Sequence, residues 1–327
     1  MARKPRVIVT RKLPQVIEKR IAERFDAKFN TTDTQYSKKQ LIESVKSSNI
    51  LVSTVTDNID REVVTSAGLN FGLIANFGAG VNHIDLAAAK EMKLLVSNTP
   101  DVLTEDTADL AMALILMASR RLGEGERLIR SGGWAGWAPT QLMGQSLFGK
   151  RLGIIGMGRI GRALALRARA FGISIHYYNR RRLDLGIEEN LGACYWPNLE
   201  VLLSNVDIVS IHTPYTNRTA NLLDRDKLNC LNTDSIVINT ARGGLRDENA
   251  LIEKLKTCEI KAAGFDVFNG EPNVNPDLLD LENVVLLPHL GSATLNGRIA
   301  MGEKVLLNIQ HYLDKENLPD KVMLDDV

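Results

Sequence analysis

Leu152-Gly153-Ile154-Ile155-Gly156-Met157-Gly158-Arg159-Ile160-Gly161 is an apolar run closed by three glycines at G-x-G-x-x-G spacing. Leu152 to Ile155 has the length and composition of a buried strand, and Arg162 to Phe171 continues as a helix former rich in Ala, Leu and Arg. A second strand, Ile173 to Tyr178, follows directly. Such a triplet between strand and helix inside a βαβ unit is the phosphate-binding turn of a dinucleotide site. Gly156 permits the tight turn, Gly158 lets the backbone approach a pyrophosphate, and Gly161 lets helix and strand pack closely. The helix N-terminus, with the backbone of Arg159 and Ile160, then faces the negative charge.

About 20 residues beyond the motif, NAD sites carry an acid that binds the adenosine ribose. This chain has Asn179 there, followed by Arg180, Arg181 and Arg182. A neutral Asn removes the repulsion that a 2′-phosphate would meet, and guanidiniums supply forked donors for it. The local chemistry therefore predicts NADP (NADPH) as the preferred cofactor, with NAD still able to enter.

Of the 327 residues, 44% are hydrophobic and 24% charged, the make-up of an ordinary globular protein long enough for two domains. A net charge of +1 gives no electrostatic reason to expect a nucleic acid or an acidic membrane as partner. Cys194, Cys230 and Cys258 are odd in number and lack ligand spacing, which indicates neither a disulfide framework nor a metal site and fits a reducing cytoplasm. Met1 to Lys12 lacks the apolar core of a secretory signal, and the longest apolar run, Leu110 to Ala118, is too short to span a bilayer. That run reads as a buried or subunit-facing helix.

Upstream of the motif, strands are expected at Arg6–Thr10, Ile50–Thr54, Gly72–Asn76 and Leu94–Ser97, alternating with helices at Pro14–Phe25, Lys38–Ser47, Arg61–Ala67 and Ile84–Met92. Downstream, further strands at Val206–His212, Ser235–Asn239, Ala262–Phe265 and Val284–Leu287 bring the expected total between 150 and 290 to six. This is the α/β pattern of two doubly wound parallel sheets. A Rossmann-type dinucleotide domain over residues 100–290 is inserted into a flavodoxin-like substrate domain made of residues 1–99 and 291–327, to which a helix over Asn296–Tyr312 returns. Crossings near Pro100 and Pro288–Gly291 would act as a hinge. A loop between helix and motif carries Trp134 and Trp137, aromatics that need their own core or a partner to pack on.

Three downstream strands end in unusual polar residues. Arg242 follows Val237-Ile238-Asn239-Thr240-Ala241, Asp266 and Glu271 follow Gly264-Phe265, and His289 follows Leu286-Leu287-Pro288. Carboxyl ends of parallel strands open on one edge, so Arg, Glu and His are expected to converge there. Moving a hydride to or from a carbon that bears oxygen requires a proton to follow the oxygen. A histidine supplies it, a neighbouring carboxylate orients the ring, and a bidentate Arg aligns a substrate carboxylate.

Asn98-Thr99-Pro100-Asp101, Gly132-Gly133-Trp134, the glycine motif, Asn239-Thr240-Ala241-Arg242-Gly243, Gly264-Phe265-Asp266-Val267-Phe268, Glu271-Pro272 and Pro288-His289-Leu290-Gly291-Ser292-Ala293-Thr294 span nearly the whole chain. In these motifs and their order it resembles the D-isomer-specific 2-hydroxyacid dehydrogenases, and is most similar to the glyoxylate/hydroxypyruvate reductases among them. The resemblance implies His289 as acid/base, Glu271 as its paired carboxylate, Arg242 as the substrate-binding arginine, and the amides of Ala79 and Gly80 as further donors to the substrate. It implies that Asp266 holds the nicotinamide amide, that Thr213, Pro214 and Thr219 lie along the adenosine and phosphates, and that Thr240, Ala241 and Gly291 touch the cofactor.

Trp137 matches a tryptophan that reaches into the partner subunit's site, which implies a homodimer with the 103–121 helix and the 131–147 loop as dimer elements. The expected activity is NADPH-linked reduction of a short 2-oxo acid, glyoxylate to glycolate or hydroxypyruvate to D-glycerate. Alternatives are an NAD-linked dehydrogenase of the 3-phosphoglycerate or D-lactate type, and a non-catalytic dinucleotide-sensing protein.

Overall fold

The computed structural model describes residues 4–323. The first three residues of the Met1–Lys12 stretch and the last four of the chain lie outside them. The chain forms two compact units, one drawn from residues up to Leu103 and from Ser292 onward, the other from Thr104–Gly291.

In the first unit, β1 (Arg6–Val9), β2 (Asp26–Phe29), β3 (Ile50–Thr54), β4 (Leu73–Phe77) and β5 (Leu95–Ser97) pair in parallel in the order β2-β1-β3-β4-β5. This is the flavodoxin-like order. The connections carry α1 (Gln15–Arg24), α2 (Lys38–Ser47), α3 (Arg61–Thr65) and α4 (Leu86–Glu91). Successive strand residues point to opposite faces. Val7, Val9, Ile50 and Val52 therefore join Ile17 and Ile21 of α1 in one core, whereas Ile8 and Leu51 join Leu41 and Val45 of α2 in another. Covering both faces explains why the inner strands are apolar throughout.

The second unit opens with α5 (Thr104–Arg120) and α6 (Leu122–Arg130). It continues through β6 (Arg151–Ile155), α7 (Arg159–Ala170), β7 (Ser174–Tyr178), α8 (Leu185–Leu191), β8 (Ala193–Tyr195), α9 (Leu199–Leu203) and β9 (Ile208–Ile211). Then follow α10 (Arg225–Leu228), β10 (Ile236–Asn239), a 3-10 turn (Gly243–Leu245), α11 (Glu248–Lys256), β11 (Ala262–Phe265), α12 (Pro276–Leu279) and β12 (Val284–Leu286). The seven strands are parallel in the order β12-β11-β10-β9-β6-β7-β8. The winding reverses between β6 and β9, the switch point at which a doubly wound sheet takes a ligand. Helix α5 buries Ala108, Ala111, Leu114 and Ile115 against Leu152, Ile154, Ile236 and Ile238 of this sheet. Its other side leaves Leu110, Ala113 and Met117 half-buried.

The last helix, α13 (Leu295–Leu313), packs Met301, Val305 and Ile309 into the core of the first unit. Its Gly302 is required there, because a Cβ would stand 2.5 Å from Ile17 of α1.

Several elements depart from the sequence pattern. β8 adds a seventh strand to the six expected. Its three residues are partly exposed and pair only with β7, so no apolar run announces it. β2 is likewise an edge strand with alternating exposure. α6 contains Gly123 and Gly125, whose poor helix propensity hides it, and is set off from α5 by Arg121 at a φ of 54°. Among the described residues no helix is long and apolar enough to cross a membrane.

Candidate active site

At the β6–α7 turn, the three glycines meet three different demands. Gly156 has a φ of 98°, and a Cβ there would lie 2.8 Å from the His212 backbone at the end of β9. A Cβ on Gly161 would lie 2.5 Å from the Gly156 carbonyl oxygen. These two are imposed by the protein's own packing. At Gly158 nothing stands within 4 Å of where a Cβ would be, and this N-cap has no side chain to close the first turn of α7. The space before the turn is a cradle that fits a pyrophosphate, with the backbone of Arg159 to Gly161 at its rim.

At the end of β7, the Asn179 side chain accepts from the Met157 N–H at 2.7 Å and so braces the glycine turn. The three arginines after it are not equivalent. Arg182 is clamped to Glu188 through Nε at 3.0 Å and Nη2 at 2.7 Å, and Glu188 also accepts from the Tyr177 hydroxyl. Burial and the bond to Glu188 push the Tyr177 phenol up to about 12, which keeps it a donor. Only Arg180 and Arg181 of the run are exposed without such a clamp.

The segment after β9 also closes on itself. Thr219 donates its hydroxyl to the Pro214 carbonyl at 2.7 Å and accepts from the Thr216 N–H at 2.8 Å. Thr213 stands beside Gly156, its N–H 2.9 Å from where a Gly156 Cβ would be. His212 bonds Ser210 at 2.7 Å, and burial pushes its ring down to about 4, so it is neutral at physiological pH.

At the end of β10, Asn239 shapes the turn that presents Arg242. Its Oδ1 accepts from the Ala241 N–H at 2.9 Å and its Nδ2 donates to the Arg242 carbonyl at 2.7 Å. Arg242 Nη1 donates to the Ala241 carbonyl at 2.6 Å. Burial lowers the Arg242 guanidinium, and the nearby Glu271 charge opposes that shift. The neighbouring Thr240 hydroxyl is buried with no partner among the described residues. A buried orphan at the carboxyl edge of a dinucleotide sheet fits a polar group of the cofactor.

His289 follows β12 at a φ of 56°, the left-handed region. Asp266, fully buried at the end of β11, builds the turn that holds it there. Its Oδ1 accepts from the Leu290 N–H at 2.6 Å, its Oδ2 from the Gly291 N–H at 2.8 Å, and its carbonyl from the His289 N–H at 3.0 Å. The Gly291 carbonyl in turn accepts from Thr107 at 2.9 Å. This is a task for Asp266 that the resemblance did not name, and only the folded backbone reveals it.

His289 Nδ1 and Glu271 Oε2 are 2.7 Å apart, while Glu271 Oε1 accepts from the Phe268 N–H at 2.9 Å. Burial pushes the Glu271 carboxyl up, but the His289 hydrogen bond and charge, the Phe268 N–H and the Arg242 charge outweigh it and hold it below the usual range. The carboxylate holds the ring through Nδ1.

Glu271→Gln keeps an acceptor at this position but removes the negative charge facing the ring. With that charge gone the ring loses its ionic partner, and kcat/KM should fall below that of the wild type. Wild-type kcat/KM in a folded Glu271→Gln protein would detach Glu271 from the site.

In the first unit, the loop after β4 turns its carbonyls inward. Asn76 Nδ2 donates to the Gly78 and Gly80 carbonyls at 3.0 Å each, and Asn98 Nδ2 donates to that of Ala79 at 2.8 Å. The N–H groups of Ala79 and Gly80 donate to no described residue and suit an anion. Trp137 stands on the 131–147 loop, 81% exposed, with Trp134 exposed in the same loop and Phe148 exposed just beyond it. Asn76, Tyr177 and Glu188 carry no signal in the chain itself, because their partners are set by the fold.

A doubly wound sheet with a phosphate cradle at its switch point and an Arg, Glu and His at its strand ends defines a nicotinamide-dinucleotide dehydrogenase domain. The family model for the D-isomer specific 2-hydroxyacid dehydrogenase NAD binding domain matches residues 112–291, and the chain belongs to that family. It is 40% identical over 326 residues to a glyoxylate reductase of Thermococcus litoralis, covering 98% of each chain. The crystal structure of an NADPH-dependent glyoxylate/hydroxypyruvate reductase from Sinorhizobium meliloti, in complex with NADP and malonate, superposes with a TM-score of 0.87 at 33% identity, over 98% of this chain and 97% of that one. A glyoxylate reductase from Paecilomyes thermophila gives 0.87 at 29% identity over the whole of both chains.

Proposed function

We propose that this protein is a reductase of short 2-oxo acids, taking glyoxylate to glycolate and hydroxypyruvate to D-glycerate, with NADPH preferred over NADH. The observation that carries the reading is the 2.7 Å His289–Glu271 pair, with the half-buried Arg242 close enough for its charge to act on Glu271. The similarity to glyoxylate reductases supports the substrate class.

A bound reduced nicotinamide supplies the hydride. Arg242 pairs with the substrate carboxylate and orients its carbonyl, and the Ala79 and Gly80 amides are assigned to substrate binding. His289 gives the proton on Nε2 to the carbonyl oxygen as it becomes an alcohol, and Glu271 stabilises the charged ring beforehand. The residues assigned to the dinucleotide are Gly156, Gly158, Arg159, Ile160, Gly161, Thr213, Pro214, Thr219, Thr240, Ala241, Asp266 and Gly291. We assign residues 100–290 to the dinucleotide domain, and residues 1–99 with 291–327 to the substrate domain.

The NADPH preference is supported by the neutral Asn179 and by exposed Arg180 and Arg181. Replacing both arginines with alanine should lower kcat/KM for NADPH by roughly 10- to 100-fold, the worth of a hydrogen bond to a charged group, and leave NADH nearly unaffected. Equal losses with the two cofactors would remove these residues from the 2′-phosphate. The homodimer is supported by the exposed Trp134, Trp137 and Phe148 and by the half-buried Leu110, Ala113 and Met117 on α5.

The deciding experiment is the initial rate of the purified protein with NADPH and NADH, each against glyoxylate, hydroxypyruvate and pyruvate. Highest kcat/KM with NADPH and glyoxylate or hydroxypyruvate supports the full reading. A preference for NADH would return Arg180 and Arg181 to the solvated surface, and dinucleotide binding without turnover would overturn the reductase.

A further inference from the structure

Arg246 is the bulkiest fully buried side chain among the described residues, and the mechanism above does not use it. It follows the 3-10 turn that begins directly after Arg242. Its Nη1 donates to the Gly243 carbonyl at 3.2 Å and to the Val267 carbonyl at 3.4 Å, and its Nη2 pairs with Glu248 at 3.0 Å. The guanidinium lies 4.0 Å from the centroid of the Phe265 ring, and Nε has no partner among the described residues.

Taking a guanidinium out of water is costly, and a hydrocarbon of similar length would fill the space without that penalty. What a hydrocarbon cannot do is bridge the two carbonyls. Gly243 belongs to the turn that carries Arg242. Val267 follows Asp266 and precedes Phe268, whose N–H holds Glu271 at 2.9 Å, and Glu271 holds His289 at 2.7 Å. The two segments are also in direct contact, since a Cβ on Gly243 would lie 2.1 Å from the Phe268 backbone.

We propose that Arg246 is a positioning residue: it clips the turn bearing Arg242 to the segment bearing Glu271, and so sets the spacing between the substrate-binding arginine and the Glu271–His289 pair. This rests on the roles given to those three residues under the proposed function. Burial pushes the Arg246 guanidinium down to about 10, which leaves it charged through the neutral range. A lysine in its place keeps the charge, but its single nitrogen cannot stand both between the two carbonyls and beside Glu248, where Arg246 places Nη1 and Nη2.

The test compares wild type, Arg246→Met, Arg246→Lys and Arg242→Gln. It reads thermal unfolding, the Kd for NADPH by fluorescence, kcat and KM for glyoxylate separately, and kcat/KM against pH. In folded Arg246→Met we expect an unchanged Kd for NADPH and a loss of about 10- to 100-fold in kcat/KM, the scale of a small misplacement at a reacting centre. The loss should be shared between kcat and KM, because both the acid/base and the carboxylate binder move. The pH profile of kcat/KM should differ from that of the wild type, and Arg246→Lys should fall between the two.

Wild-type kcat/KM and pH profile in folded Arg246→Met overturn the proposal. If that variant does not fold, wild-type kinetics in Arg246→Lys overturn it, and reduced kcat/KM with unchanged NADPH affinity supports it. Indifference to Arg242→Gln overturns the site assignment itself, whereas loss at Arg242 with none at Arg246 overturns the positioning role alone.

Discussion

Replacing His289 with asparagine should lower kcat for glyoxylate reduction by roughly 10²- to 10⁴-fold, the contribution of a positioned general acid, while the Kd for NADPH stays unchanged. Asparagine is chosen because His289 sits at a φ of 56°, and Asn tolerates the left-handed region better than other side chains. The backbone bonds that Asp266 makes to Leu290 and Gly291 can then persist. An amide holds no transferable proton, so the variant separates the chemistry of the ring from the conformation of its turn. His289→Ala is the complementary probe. It removes the same proton but also places a poorly suited residue in the left-handed region, at a cost of about 1–2 kcal/mol, and should therefore unfold at lower temperature than the Asn variant. Wild-type kcat in a folded Asn variant would remove His289 from proton transfer.

Arg242→Gln should lower kcat/KM for glyoxylate by about 2–5 kcal/mol, roughly 30- to 5,000-fold, as when one partner of a desolvated charge pair is truncated. The loss should appear in both KM and kcat, because a bidentate contact binds the carboxylate and aligns the carbonyl. Arg242→Lys should recover only part of it, since an ammonium lacks the planar fork. The turn itself should survive, because Asn239 shapes it through the Ala241 N–H and the Arg242 carbonyl, and neither bond involves the guanidinium. Full activity in either variant would remove Arg242 from carboxylate recognition.

The dinucleotide turn and the strand-end residues are legible in the chain because their signals are local. A glycine triplet, a short apolar run before it and a helix former after it occupy consecutive positions, and parallel topology then delivers Arg242, Asp266, Glu271 and His289 to one edge of the sheet. Burial of both sheet faces leaves the inner strands apolar, so alternating runs are enough to name both folds. Edge strands escape, because β2 and β8 bury too little to show a pattern and gain their identity from a neighbour.

What lies beyond the chain's own pattern is the assignment of partners. Arg180, Arg181 and Arg182 look alike in a row, yet Glu188 takes only the last. Asp266 and His289 are separated by 22 intervening residues, and their coupling passes through backbone amides that have no sequence signature. Arg246 looks like a solvated arginine in a polar loop and proves to be fully buried. A short apolar run or a glycine turn is chosen by the chain's local energetics, whereas a hydrogen bond between distant segments exists only once the sheet has set their register.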